Sequence, residues 1–317
     1  MRNLDALTFR EVARMSDDQA RTALESIRWP DGVTCPHCGG KNVPSVKGGR
    51  AGLYRCQDCR RAKIADQFSV TVGTIFEDSH IGLSKWLQAV SIVCASKKGV
   101  SALQLQRQLG LGSYRSAWHM AHRIRHALAS PPGEPPMSGT IEVDETYVGG
   151  KPRYKGRANR GKMGRGTVKA PVVAIIQRDG GAEVRHIEPL NSGLIHKAIK
   201  DSVDLSRSEL MTDEYQAYPA IGAKFKGGHH TVKHSAKEYA RGRVHVNNAE
   251  SFFALFKRGI HGAFHHISKK HLGRYCDEFE FRWDNRKATD AERTVNVLRL
   301  TEGRRLMYRD LVGKMAV

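Results

Sequence analysis

Four of the six cysteines fall into two C-x-x-C pairs, Cys35 with Cys38 and Cys56 with Cys59, separated by seventeen residues. No other feature restricts this chain as tightly. Each pair forms a tight turn whose thiolates point inward, and two such turns complete a tetrahedral site for one structural Zn²⁺. Two redox motifs or a chance pairing are the alternatives, and ribbon spacing favours the metal. Residues 31–66 are therefore expected to form a zinc ribbon. Lys41, Lys47, Arg50, Arg55, Arg60, Arg61 and Lys63 lie between the pairs or just after them, with only Asp58 opposing. A one-signed set on a small metal module suits phosphate contact, although ribbons also bind protein. Cys94 and Cys276 fall in apolar helical patterns and are expected to be buried thiols.

The 317 residues suit two or three domains. Lysine and arginine total 52 against 32 acids, a formal net charge of +20, which favours a polyanionic partner, nucleic acid before membrane. At 40% hydrophobic and 26% charged the composition is that of a folded chain, so a globular surface carries the charge. The longest apolar runs, near Ala89 to Ala95 and Ala170 to Ile176, are far short of the ~18 residues of a membrane helix. The start of the chain has no apolar leader, and a cytoplasmic protein without membrane association is expected.

Residues 1–30 have helical spacing, with Ser16-Asp17-Asp18 as an N-terminal cap and Trp29-Pro30 as a stop. Over 80–130, Leu83, Trp86, Leu87, Val90 and Val93 recur at helical spacing. A short helix, Gly110-Leu111-Gly112-Ser113 and a second helix follow. That order suits a helix-turn-helix reader of the major groove, with Arg115 and Arg123 among the groups on its second helix; a helical bundle between two domains is the alternative. Pro131 to Pro136 reads as a linker. Beyond it, Thr140 to Val148, Ala170 to Gln177, Ala182 to Ile187 and Glu209 to Thr212 are expected strands, with helices over Leu194 to Val203, Glu250 to Lys257 and Lys269 to Phe281. The fold class is multidomain α+β, with an α/β domain over 138–290 and a C-terminal helical tail over 291–317.

Three carboxylates of that domain carry chemistry. Asp144 and Glu142 share one face of the first strand, opposite Ile141 and Val143. Asp213 follows Leu210-Met211 at a strand's carboxyl end, where α/β sheets place ligands. Glu250 opens a helix expected to be capped by Asn247 or Asn248. Acids brought together from separate elements raise one another's pKa unless cations lie between them. Two Mg²⁺ or Mn²⁺ ions resolve this and suit in-line phosphoryl transfer. Lys257, two helical turns after Glu250, faces the same way and can hold a DNA backbone.

Val143-Asp144-Glu145-Thr146-Tyr147-Val148-Gly149-Gly150-Lys151, Thr212-Asp213, Asn247-Asn248-Ala249-Glu250-Ser251-Phe252 and Lys257-Arg258-Gly259-Ile260 together resemble bacterial insertion-sequence transposases of the DDE class with an N-terminal zinc ribbon, those with an ISXO2-like transposase domain. The resemblance implies an RNase H-like catalytic domain in which Asp144, Asp213 and Glu250 are catalytic and bind the magnesium ions. It implies cleavage of element ends by water, then attack of the freed 3′ hydroxyl on target DNA. Double-stranded DNA, as terminal inverted repeats and as target, is the expected partner, and holding two ends requires a homodimer or larger assembly. Further DNA contacts are expected from Lys257, Arg258 and the glycine-rich run holding Lys151, Arg153, Lys155, Arg157, Arg160, Lys162 and Arg165. Histidines at 229, 230, 234, 245, 261, 265, 266 and 271 suit a DNA path better than a second zinc site. A DNA-binding regulator with an inactive RNase H-like domain is the competing function. A nuclease acting on RNA or hybrids is the other.

Overall fold

The structure, a computed structural model, describes residues 4–131, 133–149 and 169–313. The chain forms two compact units, Met1–Ala129 with Lys287–Val317 and Ser130–Arg286.

The first unit opens with α1 (Phe9–Arg14) and α2 (Asp17–Arg28), each begun by a capping box, Thr8 with Glu11 and Ser16 with Gln19. In such a box a hydroxyl and a carboxyl or amide each satisfy a backbone N–H that the helix leaves open. The ribbon holds β1 (Tyr54–Arg55), α3 (Gln57–Arg61) and β2 (Gln67–Phe68), with β1 and β2 antiparallel. Trp29, at the end of α2, meets Tyr54 and Phe68 edge-on at 5.8 and 6.1 Å between ring centroids, giving the small module an apolar floor that its own few residues cannot supply. α4 (Leu83–Ala95) buries Trp86, Leu87, Val90, Val93 and Cys94. α5 (Ala102–Leu109) ends at Gly110, whose φ of 57° suits a residue without a Cβ, and α6 (Tyr114–Ala127) begins after Ser113, whose hydroxyl accepts the Arg115 N–H.

The second unit is built on a five-stranded mixed sheet. Its strands are β3 (Met137–Val148), β4 (Ala170–Gln177), β5 (Ala182–His186), β6 (Val203–Thr212) and β7 (His229–Thr231), in the order β5-β4-β3-β6-β7. The first three are antiparallel neighbours, and β6 and β7 run parallel to β3. β4 is apolar without alternation because both of its faces are covered. Val172, Ala174 and Ile176 pack with α9 (Asn247–Gly259) and α10 (Leu272–Asp284), while Val173 and Ile175 join the cluster of α7 (Ser192–Ser202) and α8 (Pro219–Gly222). Cys276 is buried in the first of these clusters. A small hairpin, β8 (Ala240–Arg241) with β9 (Val244–His245), precedes α9. β6 is longer than Glu209 to Thr212: it starts at Val203 and shifts register against β3 between Met137 and Gly139. β7 has no apolar alternation and was not anticipated.

α11 (Asp290–Arg299) and α12 (Tyr308–Val312) belong to the first unit. Val295, Val297 and Leu298 are buried, and α11 packs on α4 and α2. The Leu7 N–H donates to the Ala291 carbonyl at 3.1 Å. Among the described residues no helix is long and apolar enough to cross a membrane.

Candidate functional site

The pairs Ile141↔Leu210 and Glu142↔Met211 on the parallel strands β3 and β6, carried two residues further, set Asp213 opposite Asp144. Parity turns Asp144 to the α9 side, away from the apolar face of Ile141 and Val143. Its Oδ1 accepts the Glu145 N–H at 2.8 Å, and Asp213 Oδ1 accepts the Tyr215 N–H at 2.9 Å, so both carboxyls are held by backbone. Glu250, in the first turn of α9, leaves 45% of its side chain exposed and has His234 Nε2 at 3.9 Å. Burial, followed by the charge of Glu145, pushes the Asp144 carboxyl up to about 7, and Asp213 and Glu250 add to the rise. Asp144 thus feels the charge of both other acids, and like charges that close favour a cation beside them. Glu145 itself points to the opposite face, where its Oε2 accepts the Tyr218 hydroxyl at 2.7 Å.

The start of α9 is fastened by a residue that sequence reasoning placed on the right face but gave no role. Glu142 is 0% exposed. Its Oε2 accepts the N–H groups of Asn248 (2.8 Å) and Ala249 (3.2 Å), and its Oε1 accepts Arg178 Nε (2.6 Å) and Asn248 Nδ2 (2.9 Å). This corrects the expected cap: neither Asn247 nor Asn248 caps the helix through its side chain. A carboxylate from β3 takes the open N–H groups instead and also meets the positive end of the helix dipole. The strand bearing Asp144 and the helix bearing Glu250 are therefore tied directly together.

In the first unit the four expected zinc ligands converge. The sulfur atoms of Cys35, Cys38, Cys56 and Cys59 all lie within 4.8 Å of one another, with Cys35 to Cys59 at 3.6 Å and Cys38 to Cys56 at 3.5 Å. Four thiolates ~2.3 Å from a tetrahedral ion stand ~3.8 Å apart, so the four cysteines fit a structural zinc. The Cys59 N–H donates to Cys56 Sγ at 3.4 Å and draws that thiol down to about 7, favouring the thiolate that zinc requires. Among the described residues no other group of three or more His, Cys, Asp or Glu gathers ligand atoms this closely, so the histidine clusters supply no comparable centre and the carboxylates stand further apart.

The expected DNA contacts divide. Lys257 and Arg258 are exposed in the last turn of α9. Arg115 is exposed at the start of α6. Arg123 is not available to a groove. It is 5% exposed, donates through Nη2 to the Glu77 carbonyl and lies with its guanidinium 5.2 Å from the Trp86 ring, and burial lowers it to about 10. The second half of α6 is buried all round, which removes Arg123 from the reading face. On the ribbon, Arg55 pairs with Asp66 at 3.3 Å and Arg61 with Asp58 at 2.6 Å, and Lys41, Lys47, Arg50, Arg60, Arg61 and Lys63 are exposed. Lys151, Arg153, Lys155, Arg157, Arg160, Lys162 and Arg165 lie outside the described residues.

Residues 136–284 match the family described as the ISXO2-like transposase domain, and residues 15–62 match the transposase zinc-ribbon domain. A protein of Halobacterium salinarum, described as an uncharacterized protein in transposable element ISH50, is 31% identical over 285 residues, 84% of this chain and 91% of that protein. No solved structure matches. The two matched regions follow one another as the ribbon and the carboxylate-bearing sheet do, and the similarity to an insertion-element protein spans 84% of the chain, so the chain belongs to the family of insertion-sequence transposases with an ISXO2-like transposase domain behind a zinc ribbon.

Proposed function

We propose that this transposase binds the terminal repeats of its element and performs divalent-metal-dependent strand cleavage and strand transfer. The observation that carries the proposal is the parallel pairing of β3 with β6, which brings Asp213, the residue directly after β6, alongside Asp144, with the helix of Glu250 bonded to the same β3 through Glu142. The strand order, three antiparallel neighbours followed by two parallel ones, supports an RNase H-like reading of this unit.

Asp144, Asp213 and Glu250 would hold two Mg²⁺ or Mn²⁺ ions. Such ions activate an attacking oxygen and stabilise a leaving one in line. Asp144 must give up its proton for this. Its carboxyl, held near 7 by burial and neighbouring acids, loses the proton readily near neutrality when a cation faces it. The Glu145 and Tyr215 N–H groups fix the orientation of Asp144 and Asp213 before substrate arrives. Lys257 and Arg258, two turns further along the helix of Glu250, hold the DNA backbone a short way along the strand from the reacting phosphate.

End recognition is assigned to the ribbon and to α5 and α6, which form a helix-turn-helix. Tyr114, Arg115 and Ser116 are exposed at the N-terminal end of α6, the part of a recognition helix that meets base edges. Two ends are brought together by a homodimer or larger assembly on DNA.

The test is incubation of the purified chain with a labelled fragment carrying the repeats that flank its gene, in Mg²⁺ or in EDTA, followed by mapping of breaks and joined strands. Magnesium-dependent cuts at the repeat boundary that vanish in Asp144→Ala, with end binding retained, are expected. Cleavage by Asp144→Ala would remove that residue from the metal site. Specific binding without cuts under any metal would instead indicate a regulator built on an inactive nuclease fold.

A further inference from the structure

Beyond the carboxylates, the second unit has a cavity of about 280 Å³ lined by the end of β3 (Tyr147, Val148, Gly149), by Lys169 before β4, by Lys257, and by the turn after α9 with His261, His265 and His266. Among the described residues no carboxylate lines it, and the ionisable groups around it other than Tyr147 are lysines and histidines, so its polar lining suits an anion.

The way the histidines are presented distinguishes them from residues that merely fall on a surface. Ile260–Phe264 is a π-helical turn closed by the His265 N–H on the Ile260 carbonyl at 2.6 Å, and such turns are rare and concentrate at functional sites. His265 has φ of 58°, the left-handed region that a side chain other than glycine or asparagine occupies at a cost. The turn is anchored on both sides. Ile260 and Ile267 are buried, and the Phe264 ring packs on Tyr275 at 4.8 Å. Between those anchors His261, His265 and His266 are exposed. A rigid platform thus holds three imidazoles outward at a backbone cost.

Two rulers locate the cavity relative to the acids. Lys257 follows Glu250 by seven helical residues, about 10 Å at 1.5 Å per residue. Val148 follows Asp144 by four strand residues, about 13 Å at 3.3 Å each. One DNA strand rises ~3.4 Å per nucleotide along the duplex axis while its phosphates also turn about that axis, so both distances correspond to about two nucleotides.

We infer that this cavity is a phosphate-binding pocket, formed by His261, His265, His266, Lys169 and Lys257, that grips the DNA backbone about two nucleotides from the reacting phosphate. The inference rests on the DNA-cleaving reading above. The pocket sets which linkage lies over Asp144 and Asp213, because a strand held at two points along its length cannot slide.

The test uses the full zinc-loaded chain and repeat-bearing duplexes in which one linkage at a time is an uncharged methylphosphonate. Wild type and His265→Gly/His266→Ala are compared for binding in EDTA, with His261→Ala as a second variant. Glycine accepts the positive φ, so the turn is kept. For wild type, neutralising one linkage about two nucleotides from the boundary is expected to weaken binding about tenfold, the effect of one charge-assisted contact. The double variant, which keeps Lys169 and Lys257, is expected to bind native DNA about tenfold more weakly and to lose most of its sensitivity to that linkage alone. Identical methylphosphonate profiles for wild type and both variants would overturn the pocket. Stabilisation of wild type by inorganic phosphate with no change at any linkage would also overturn it, in favour of a free-anion site. A change of profile in a protein that cuts no DNA in Mg²⁺ would leave the pocket standing and sink the transposase reading instead.

Discussion

Replacing Glu142 by glutamine changes no volume and one charge, yet it is expected to be among the most damaging substitutions in the second unit. Two pairs of donors converge on the carboxylate, backbone N–H groups at Oε2 and the Arg178 and Asn248 side chains at Oε1. Glutamine has one acceptor oxygen, so whichever way its amide turns, an NH₂ group faces two donors. Each charge-assisted bond lost costs about 1.5–3 kcal/mol, which puts Glu142→Gln at about 3–5 kcal/mol. At about 2–4 °C per kcal/mol for a unit of this size, the thermal midpoint followed by circular dichroism should fall by roughly 10 °C. Because Glu250 lies two residues past Asn248, cleavage at temperatures where the variant is fully folded should fall as well. A midpoint within roughly 2 °C of wild type together with unchanged cleavage would show that the bonds from β3 to α9 neither stabilise the unit nor position Glu250.

Other outcomes follow from features of both units. Cys35→Ser should release the zinc, read by metal analysis of the dialysed protein, and weaken end binding; full metal content would undo the ribbon assignment. Arg115→Ala should weaken repeat binding with stability unchanged, whereas Arg123→Ala should lower stability by about 2 kcal/mol and affect binding only through unfolding; the reverse pattern would place Arg123 on the DNA face. Glu280, pushed up to about 8 by burial and then by Glu183, keeps its proton when folded but releases it near the ordinary 4.5 when unfolded. The unfolded chain therefore binds fewer protons between those values, and stability must fall as pH rises through that window. Glu280→Gln should flatten the fall in urea unfolding between pH 5 and 8, and an unchanged slope would assign the dependence to other groups, such as Asp284, raised to about 7.

The parts legible in the sequence are those that local chemistry decides. The cysteine spacing, the cap of α2, and the parity of β3 that separates Asp144 from Ile141 all depend on residues a few positions apart. The run at Ala170 to Gln177 is a strand because its apolar residues suit burial on both faces. The parts not legible depend on distant partners. Glu142 acquires its role from Arg178 and from Asn248, 106 residues away. Arg123 resembles an exposed cation until α4 and the returning C-terminal segment cover α6; His119, for example, contacts the Leu306 carbonyl and packs beside Tyr308. The capping of α9 was misassigned for the same reason, since asparagines at a helix start are the usual local solution and the carboxylate that replaced them comes from another strand.

The return of α11 to the first unit imposes an order on the birth of the protein. The ribosome finishes α6, then makes the whole of Ser130–Arg286, and only afterwards releases the helix that covers α4 and α2. At ~5–20 residues per second that interval lasts roughly ten to thirty seconds. Throughout that time the apolar faces of α4 and α2 await their last neighbour, and by its end the second unit has every residue of its sheet. A nascent chain halted after Arg286 would hold all the acids of the cleavage site, and its recognition unit would still be open.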